Sequence, residues 1–246
     1  CSNNNYSYSV NTNNSFYSIS TCLGSGTGTV NAGLASVSPE GTFSCGQNIN
    51  DVDGNSYSTV QIGAQCWMKQ SLKTGSVTLC DGQGGTTCVT NPSDDSKTEK
   101  YCYNNDNNNC STYGALYLWH EAMALPSSCF NTNCATQISA KHKGICPNGW
   151  HIPTTQEFNE LETYTISLIN SSATQYPCDI NTIGFLRCAD NNGTSQGGPK
   201  GAGRSLKQNG DNLTGFTLIM GGYRDAAGVF TGIIGGTEIV TSTQAS

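Results

Sequence analysis

The sequence predicts an α+β protein, and three observations carry that prediction. Short runs of alternating or clustered apolar residues occur at the front (Tyr6, Tyr8, Val10, then Phe16, Tyr17, Ile19 and Leu23), after position 51, and near the end, as half-buried strands require. The stretch from Gly144 to Phe158 joins a tight turn, an aromatic and a helix start within a few residues. Thirteen cysteines, many in close couples, point to loops closed by disulfides. Together they imply short strands, two helices and loops stapled by disulfides, preceded by a short β region.

Taken in order, the first 45 residues read as two short strands separated by the turn-rich Asn11 to Asn14 and followed by a glycine-rich loop. Gly24, Gly26 and Gly28 precede no helix start, so they form a loop and not a phosphate cradle. From Asp51 a turn leads into alternating Val60 and Ile62 and then Trp67 and Met68, a hairpin with an aromatic end. Residues 73–110 form a polar insertion holding four cysteines. Residues 113–125 predict a helix with Leu116, Trp119 and Met123 on its core face, ended by Pro126. A further helix is expected over 157–169, capped by Thr154 or Thr155. Phe158, Leu161, Thr165, Leu168 and Ile169 would place its apolar face under Trp150. After polar loops over 171–212, residues 215–220 and 229–233 give two closing strands.

Composition narrows the function. Charged residues make up 11% of the chain against roughly 25% in ordinary soluble proteins, so Asn, Ser, Thr and Gly must supply the polar surface. The net charge of −6 excludes a sequence-blind nucleic-acid binder, which needs a basic face. There is no run of about 18 apolar residues, hence no transmembrane helix in this chain.

The cysteine spacings lack the paired C-x2-C couples of a zinc site. Disulfides in an extracellular, oxidising compartment are the stronger reading. Nearest-couple spacing suggests Cys80 with Cys88, Cys102 with Cys110, Cys129 with Cys134, Cys178 with Cys188 and Cys22 with Cys45, although connectivity is not fixed by sequence. Cys1, Cys66 and Cys146 are then left over, and Cys1 is the natural candidate for lipid or external pairing.

Several blocks carry a resemblance. Asp51-Val52-Asp53-Gly54-Asn55, Val60-Gln61-Ile62-Gly63 with Trp67-Met68 and Ser71-Leu72-Lys73, Gly114-Ala115-Leu116-Tyr117 with Trp119, Ile145 to Pro153, and Gly215-Phe216 with Gly221-Gly222-Tyr223-Arg224 occur in the order of the Fibrobacter succinogenes major paralogous domain, which the chain resembles over about residues 49–243. The resemblance implies a bacterial surface domain with a C-type-lectin-like or formylglycine-generating-enzyme-like fold, that is, a small twisted antiparallel sheet with two helices and long loops. It divides the chain into a short β-rich region, 1–48, and a family-like domain, 49–246. Where that family carries Trp-Ser-Ser-Thr and a last cysteine-bearing strand, this chain has Val240-Thr241-Ser242-Thr243 and stops at Ser246. By that comparison Cys146 lacks its usual partner and would pair with Cys66, and a sheet edge would be left for a neighbouring chain. Residues 1–45 are similar to the C-terminal sheet of a type IV pilin-like subunit. Cys1-Ser2-Asn3 equally resembles the start of a mature bacterial lipoprotein.

Candidate chemistry is sparse. His120-Glu121, His142 and His151 do not form a His-Glu-x-x-His zinc motif, and His151 reads as a structural hydrogen-bonding residue. Asp51, Asp53 and Asn55 begin like a calcium loop without the later Glu of an EF-hand, and Asp179, Asp190, Asn191 and Asn192 could make a second oxygen-rich loop. Glu157, Glu160 and Glu162 share a helix, where capping or solvated roles are commoner than glycosidase work. Asn5, Asn13, Asn109, Asn170, Asn192 and Asn212 each begin an Asn-x-Ser/Thr triplet, the acceptor for glycosylation. The expectation is a non-enzymatic, cofactor-free surface protein: a pilin-like filament subunit displaying an adhesion-type domain, assembled by self-association. The rival is a lipid-anchored carbohydrate-binding module whose glycan ligand stacks on Tyr101, Tyr103 and Tyr113.

Overall fold

The computed structural model describes residues 7–10, 17–23, 33–38, 41–78, 97–169, 206–208, 212–225 and 228–243. Strands run over Ser7–Val10 (β1), Tyr17–Leu23 (β2), Gly33–Ser38 (β3), Gly41–Ser44 (β4), Ile49–Asn50 (β5), Ser56–Tyr57 (β6), Thr59–Ile62 (β7), Gln65–Met68 (β8), Ser76–Val77 (β9), Glu99–Lys100 (β10), Gly221–Arg224 (β11) and Phe230–Ile233 (β12). Helices run over Asn107–Tyr113 (α1), Trp119–Ala122 (α2) and Thr155–Ile169 (α3). The chain is thus α+β, with small sheets and short helices. It forms two compact units, one of Cys1–Ile49, Tyr57–Lys69 and Thr155–Leu218, the other of Asn50–Ser56, Gln70–Thr154 and Ile219–Ser246.

In the first unit, β1 to β4 form an antiparallel meander in chain order. The sequence suggested two strands here. The structure adds β3 and β4, whose Gly, Ala and Ser content hides the alternation by which strands are recognised. Beyond β4, Cys45 is bonded to Cys66 on β8. The Thr59 hydroxyl reinforces that junction, donating to the Gln47 carbonyl at 2.7 Å and accepting from the Gly46 amide at 2.8 Å.

Strands β7 and β8 form the expected hairpin, with Val60 opposite Trp67. One apolar cluster joins it to α3: buried Ile62, Leu161, Leu206 and Phe216, with Val60, Trp67, Phe158 and Leu218 around them. Trp67 meets Phe158 and Phe216 edge-on, at 6.1 and 5.6 Å between ring centroids, geometry that the aromatic quadrupole favours. Each side chain so buried contributes about 1.5–3 kcal/mol.

Helix α3 starts at Thr155, which puts Thr154 at the N-cap position and Glu157 three residues on, at capping-box spacing. Its inward face is narrower than the periodicity suggested. Leu161 and Thr165 are buried, Thr165 returning its hydroxyl to the Leu161 carbonyl at 2.8 Å, whereas Leu168 is 43% exposed. Within its own unit the aromatic against which it packs is Trp67, and the Trp150 expected over this face belongs to the core of the second unit.

That second core consists of Ala122, Met123, Ile145, Cys146 and Ile152, with Trp119, Trp150 and Val240 among its partly buried neighbours. Backbone bonds hold it: Ile145 N–H to the Ala122 carbonyl at 3.0 Å, Ile152 N–H to His142 at 2.9 Å and Ser242 N–H to Pro153 at 2.9 Å. The Trp119 indole donates to the Thr241 carbonyl at 2.9 Å, stitching in the Val240 to Ser242 segment.

The single helix expected over 113–125 is split. Between α1 and α2 the chain is extended, since Ala115 donates to Leu72 and Leu116 exchanges backbone bonds with Tyr101. Gly114 makes the break, at φ +87°, where a Cβ would lie 2.2 Å from the Ser71 Cβ. A local helical pattern yields here to sheet-like pairing from outside the segment. The closing strands also shift: 215–220 holds a turn and a bridge from Leu218 to Lys207, and the antiparallel pair is β11 with β12. Strands β9 and β10 pair in parallel.

Candidate functional site

The residues with chemical potential in the second unit fall into two groups. The first is the Asp51 to Asn55 turn, flanked by β5 and β6. Asp51 is buried, and its Oδ1 accepts the backbone N–H of Asp53 at 3.0 Å and of Asn55 at 2.8 Å. Its Oδ2 accepts the Asn55 Nδ2 at 2.8 Å and the Thr74 hydroxyl at 2.5 Å. Asp53 accepts the Gly75 N–H at 2.6 Å. Asn55 thus turns a donor nitrogen toward Asp51, and the loop is an Asx-type turn in which backbone and side-chain donors surround the Asp51 carboxylate.

Beside it Lys100 donates its ammonium to the Lys73 carbonyl. Burial lowers the Lys100 pKa and Lys73 adds to that, while Asp53 and Asp51 oppose it. Lys100 therefore belongs to the same polar framework.

The second group surrounds Tyr101. The glycine pair of β11 brings it together: a Cβ on Gly222 would lie 2.6 Å from Tyr103 Cε2 and 2.7 Å from the Thr231 carbonyl oxygen. Without that Cβ, Tyr103 packs at a tilt against Phe230, with ring centroids 5.4 Å apart, and the Arg224 guanidinium lies 4.6 Å from the Tyr101 ring centroid. Arg224 Nε and Nη2 are buried with no hydrogen-bond partner among the described residues, so the ring face is their compensation. Burial raises the Tyr101 pKa, Glu99 and Glu121 raise it further, and Arg224 pulls it down.

Glu121 ties the group to α2. One of its oxygens accepts the Glu99 N–H at 3.0 Å and the other lies 3.6 Å from His120 Nε2. His120 is 1% exposed and its ring meets Phe130 edge-on at 5.9 Å. An imidazole and the carboxylate next to it in sequence thus lie together, with the Glu99 backbone bonded to that carboxylate, but the imidazole is walled off from any substrate in solution. The arrangement fixes β10, α2 and β11 to one another.

The remaining residues are placed as follows. His142 Nε2 bonds the Met123 carbonyl at 2.7 Å while its Nδ1 accepts from Ser139 N–H at 3.4 Å, so the ring braces two loops. His151 is partly buried, beside the core Trp150. Tyr101 and Tyr103 are interior, with Tyr101 2% exposed, so neither offers a face to a sugar, and Tyr113 is half-buried at the end of α1. Glu160 accepts from Gln65 at 3.0 Å and Gln156 at 3.4 Å, a surface network. Among the described residues no cluster of three or more His, Cys, Asp or Glu could hold a metal.

Three disulfides close among the described residues: Cys45–Cys66, Cys102–Cys110 and Cys129–Cys134. The last two are the couples suggested by spacing. The first corrects both expectations for its members: Cys45 does not pair with Cys22, nor Cys66 with Cys146. Thr59 of β7 holds Gly46 and Gln47, the residues after Cys45, at the β7–β8 hairpin that carries Cys66, and Cys146 is left a buried thiol in the other unit's core. Burial pushes that thiol up to about 12, against a small opposing effect of Lys143. The couples Cys80 with Cys88 and Cys178 with Cys188, together with Cys1, Asp179, Asp190, Asn191 and Asn192, lie outside the described residues, as do Asn5, Asn13 and Asn170. Asn109 donates its side-chain amide to the Tyr103 carbonyl at 2.9 Å, and Asn212 accepts the Thr217 N–H at 2.9 Å, so both serve local turns.

The Fibrobacter succinogenes major domain family matches residues 60–244. The chain belongs to this family. No curated protein and no solved structure matches it. The family's segment takes in the β7–β8 hairpin, all three helices and the β11–β12 pair, while the β1–β4 meander precedes it. Membership and the disulfides are consistent with a place at the outside of the cell. Among the described residues no helix is long and apolar enough to cross a membrane.

Proposed function

We propose that this chain is an extracellular structural protein of the bacterial surface, non-catalytic, which self-associates into a pilin-like filament and displays its family domain for adhesion. The observation that carries the reading is the disulfide set. Three bridges close short stretches of chain, each limiting the unfolded state, in a protein that must stay soluble with only 11% charged residues. The meander adds support, since β1 and β4 are its two outer strands and an outer strand is a template for pairing with another chain.

The burial of His120 and the self-satisfied Asp51 loop favour a framework over an active site. Two of the three tyrosines on which a carbohydrate-binding reading relied are interior, which favours assembly over sugar capture.

The test is electron microscopy of material shed from the producing cell, with antibody against this chain, combined with thiol titration of the native protein. Labelled filaments with few titratable thiols are expected. Label confined to the cytoplasm, or a native protein with most of its cysteines reactive, would overturn the reading.

A further inference from the structure

The outer face of α3 carries an exposed aromatic ring seated on the β7–β8 hairpin, within one compact unit. Tyr164 is 40% exposed, unlike the interior Tyr101 and Tyr103, and Leu168, one turn further on, is exposed as well. The Tyr164 ring lies against the hairpin turn: a Cβ on Gly63 would come within 3.1 Å of Cδ2 and 3.2 Å of Cγ. Gly63 has φ +60°, so glycine serves both the turn and the close approach of the ring. The Gln61 amide donates to the Gly63 carbonyl at 3.2 Å and holds that turn in shape. The ring is thus fixed from below without being covered.

Polar groups border it on the same side of the helix. Gln156, Glu160, Tyr164 and Leu168, all exposed, follow at four-residue intervals, a stripe of about 18 Å. The Gln65 side chain on β8 donates to Glu160 Oε2 at 3.0 Å and to the Glu157 carbonyl at 3.1 Å, while its oxygen accepts the Trp67 indole N–H at 3.1 Å. Gln156 donates to Glu160 Oε1 at 3.4 Å. These bonds orient the Glu160 carboxylate beside the ring. Each carboxylate oxygen has two lone pairs, so acceptor capacity is left on an exposed group.

We propose that Tyr164, with Glu160 and Gln156 on one side and Leu168 on the other, is a binding platform for a neutral, β-linked glycan of pyranose rings with equatorial hydroxyls. Such a sugar has a flat C–H face that packs on an aromatic ring, and a rim of hydroxyls that donate to Glu160 and accept from Gln156. Charge selects a neutral ligand. The one charged group in the stripe is anionic, and the chain carries net −6, so an acidic glycan is repelled. An apolar protein surface would strip water from Glu160 and return no hydrogen bond, whereas a sugar hydroxyl returns one. The platform names a ligand class for the adhesion reading above and rests on it.

The experiment is isothermal titration calorimetry of the purified, oxidised full chain with cellohexaose, xylohexaose and an oligogalacturonate, with sedimentation velocity on the same samples. Wild type is expected to bind a neutral oligomer and not the acidic one. Tyr164→Ala weakens that binding about 10- to 100-fold, and Glu160→Ala about 5-fold. Tyr164→Phe, which keeps the ring, stays within roughly threefold, and all three variants keep the wild-type circular dichroism. Equal affinity of Tyr164→Ala and wild type, or binding of the acidic oligomer alone, overturns the proposal. A chain that forms filaments and binds neither neutral oligomer overturns the platform and leaves the filament reading standing. Loss of self-association in Tyr164→Ala, with no sugar bound by wild type, assigns the face to a second copy and likewise overturns it. A chain found by microscopy only in the cytoplasm overturns the surface reading and this ligand with it.

Discussion

Replacing Asp51 by alanine withdraws one carboxylate from the amides of Asp53 and Asn55, the side chain of Asn55 and the hydroxyl of Thr74. Hydrogen bonds to a charged acceptor are worth about 1.5–3 kcal/mol each when the acceptor is removed. They are not additive here, because Asp53 is exposed and its amide rehydrates, whereas Thr74 is buried and its hydroxyl does not. The expected loss is therefore about 3 kcal/mol, a fall in Tm of roughly 6–12 °C for a chain of this size. Asp51→Asn keeps an acceptor for the amides but turns a donor toward Asn55 or Thr74, and should lose about half as much. Differential scanning calorimetry and guanidinium denaturation, with and without a calcium chelator, measure both. The reasoning is refuted if Asp51→Ala melts within a degree of wild type. It is equally refuted if calcium raises the wild-type Tm and the chelator reverses it, since the loop would then be a cation site after all.

Gly144 has φ +51°, and a Cβ there would lie 2.3 Å from the Ala122 oxygen and 2.6 Å from Ile152 Cδ1. Gly144→Ala is therefore expected to lose more than the roughly 1 kcal/mol of left-handed strain alone, read as a lowered denaturation midpoint. The Cys146 thiol, held at about 12 against an ordinary 9.0, is protonated in the folded chain at pH values where the unfolded chain has lost that proton. Its contribution is complete below pH 9 and is lost as pH rises toward 12, about 4 kcal/mol in all. Cys146→Ala should flatten that alkaline decline, and native Cys146 should resist a thiol reagent until the protein unfolds. Arg224 holds down a Tyr101 pKa that burial and two carboxylates raise. Arg224→Met should thus move Tyr101 ionisation to still higher pH in an ultraviolet titration of the folded protein.

Local chemistry is written plainly in the sequence. The capping spacing of Thr154 and Glu157 marked the start of α3, and the alternation of Val60 and Ile62 marked a strand of the β7–β8 hairpin. The nearest-neighbour couples Cys102–Cys110 and Cys129–Cys134 close over short loops, which makes them the pairs a flexible chain reaches first. Family blocks kept their order, and with them the physical needs they encode: a glycine where Ser71 crowds Gly114, and a glycine where Tyr103 crowds Gly222.

What the sequence determined by itself is the set of locally closed features: short strands, helix starts, tight turns and adjacent cysteines, each set by residues a few positions apart. Only the tertiary structure decided the partners. It broke the 113–125 helix to pair Leu116 with Tyr101, set α3 against Trp67, joined Cys45 to Cys66 and gathered Glu99, Glu121 and Arg224 around one tyrosine. Those choices depend on which distant surfaces bury together, and propensity along the chain carries no record of that.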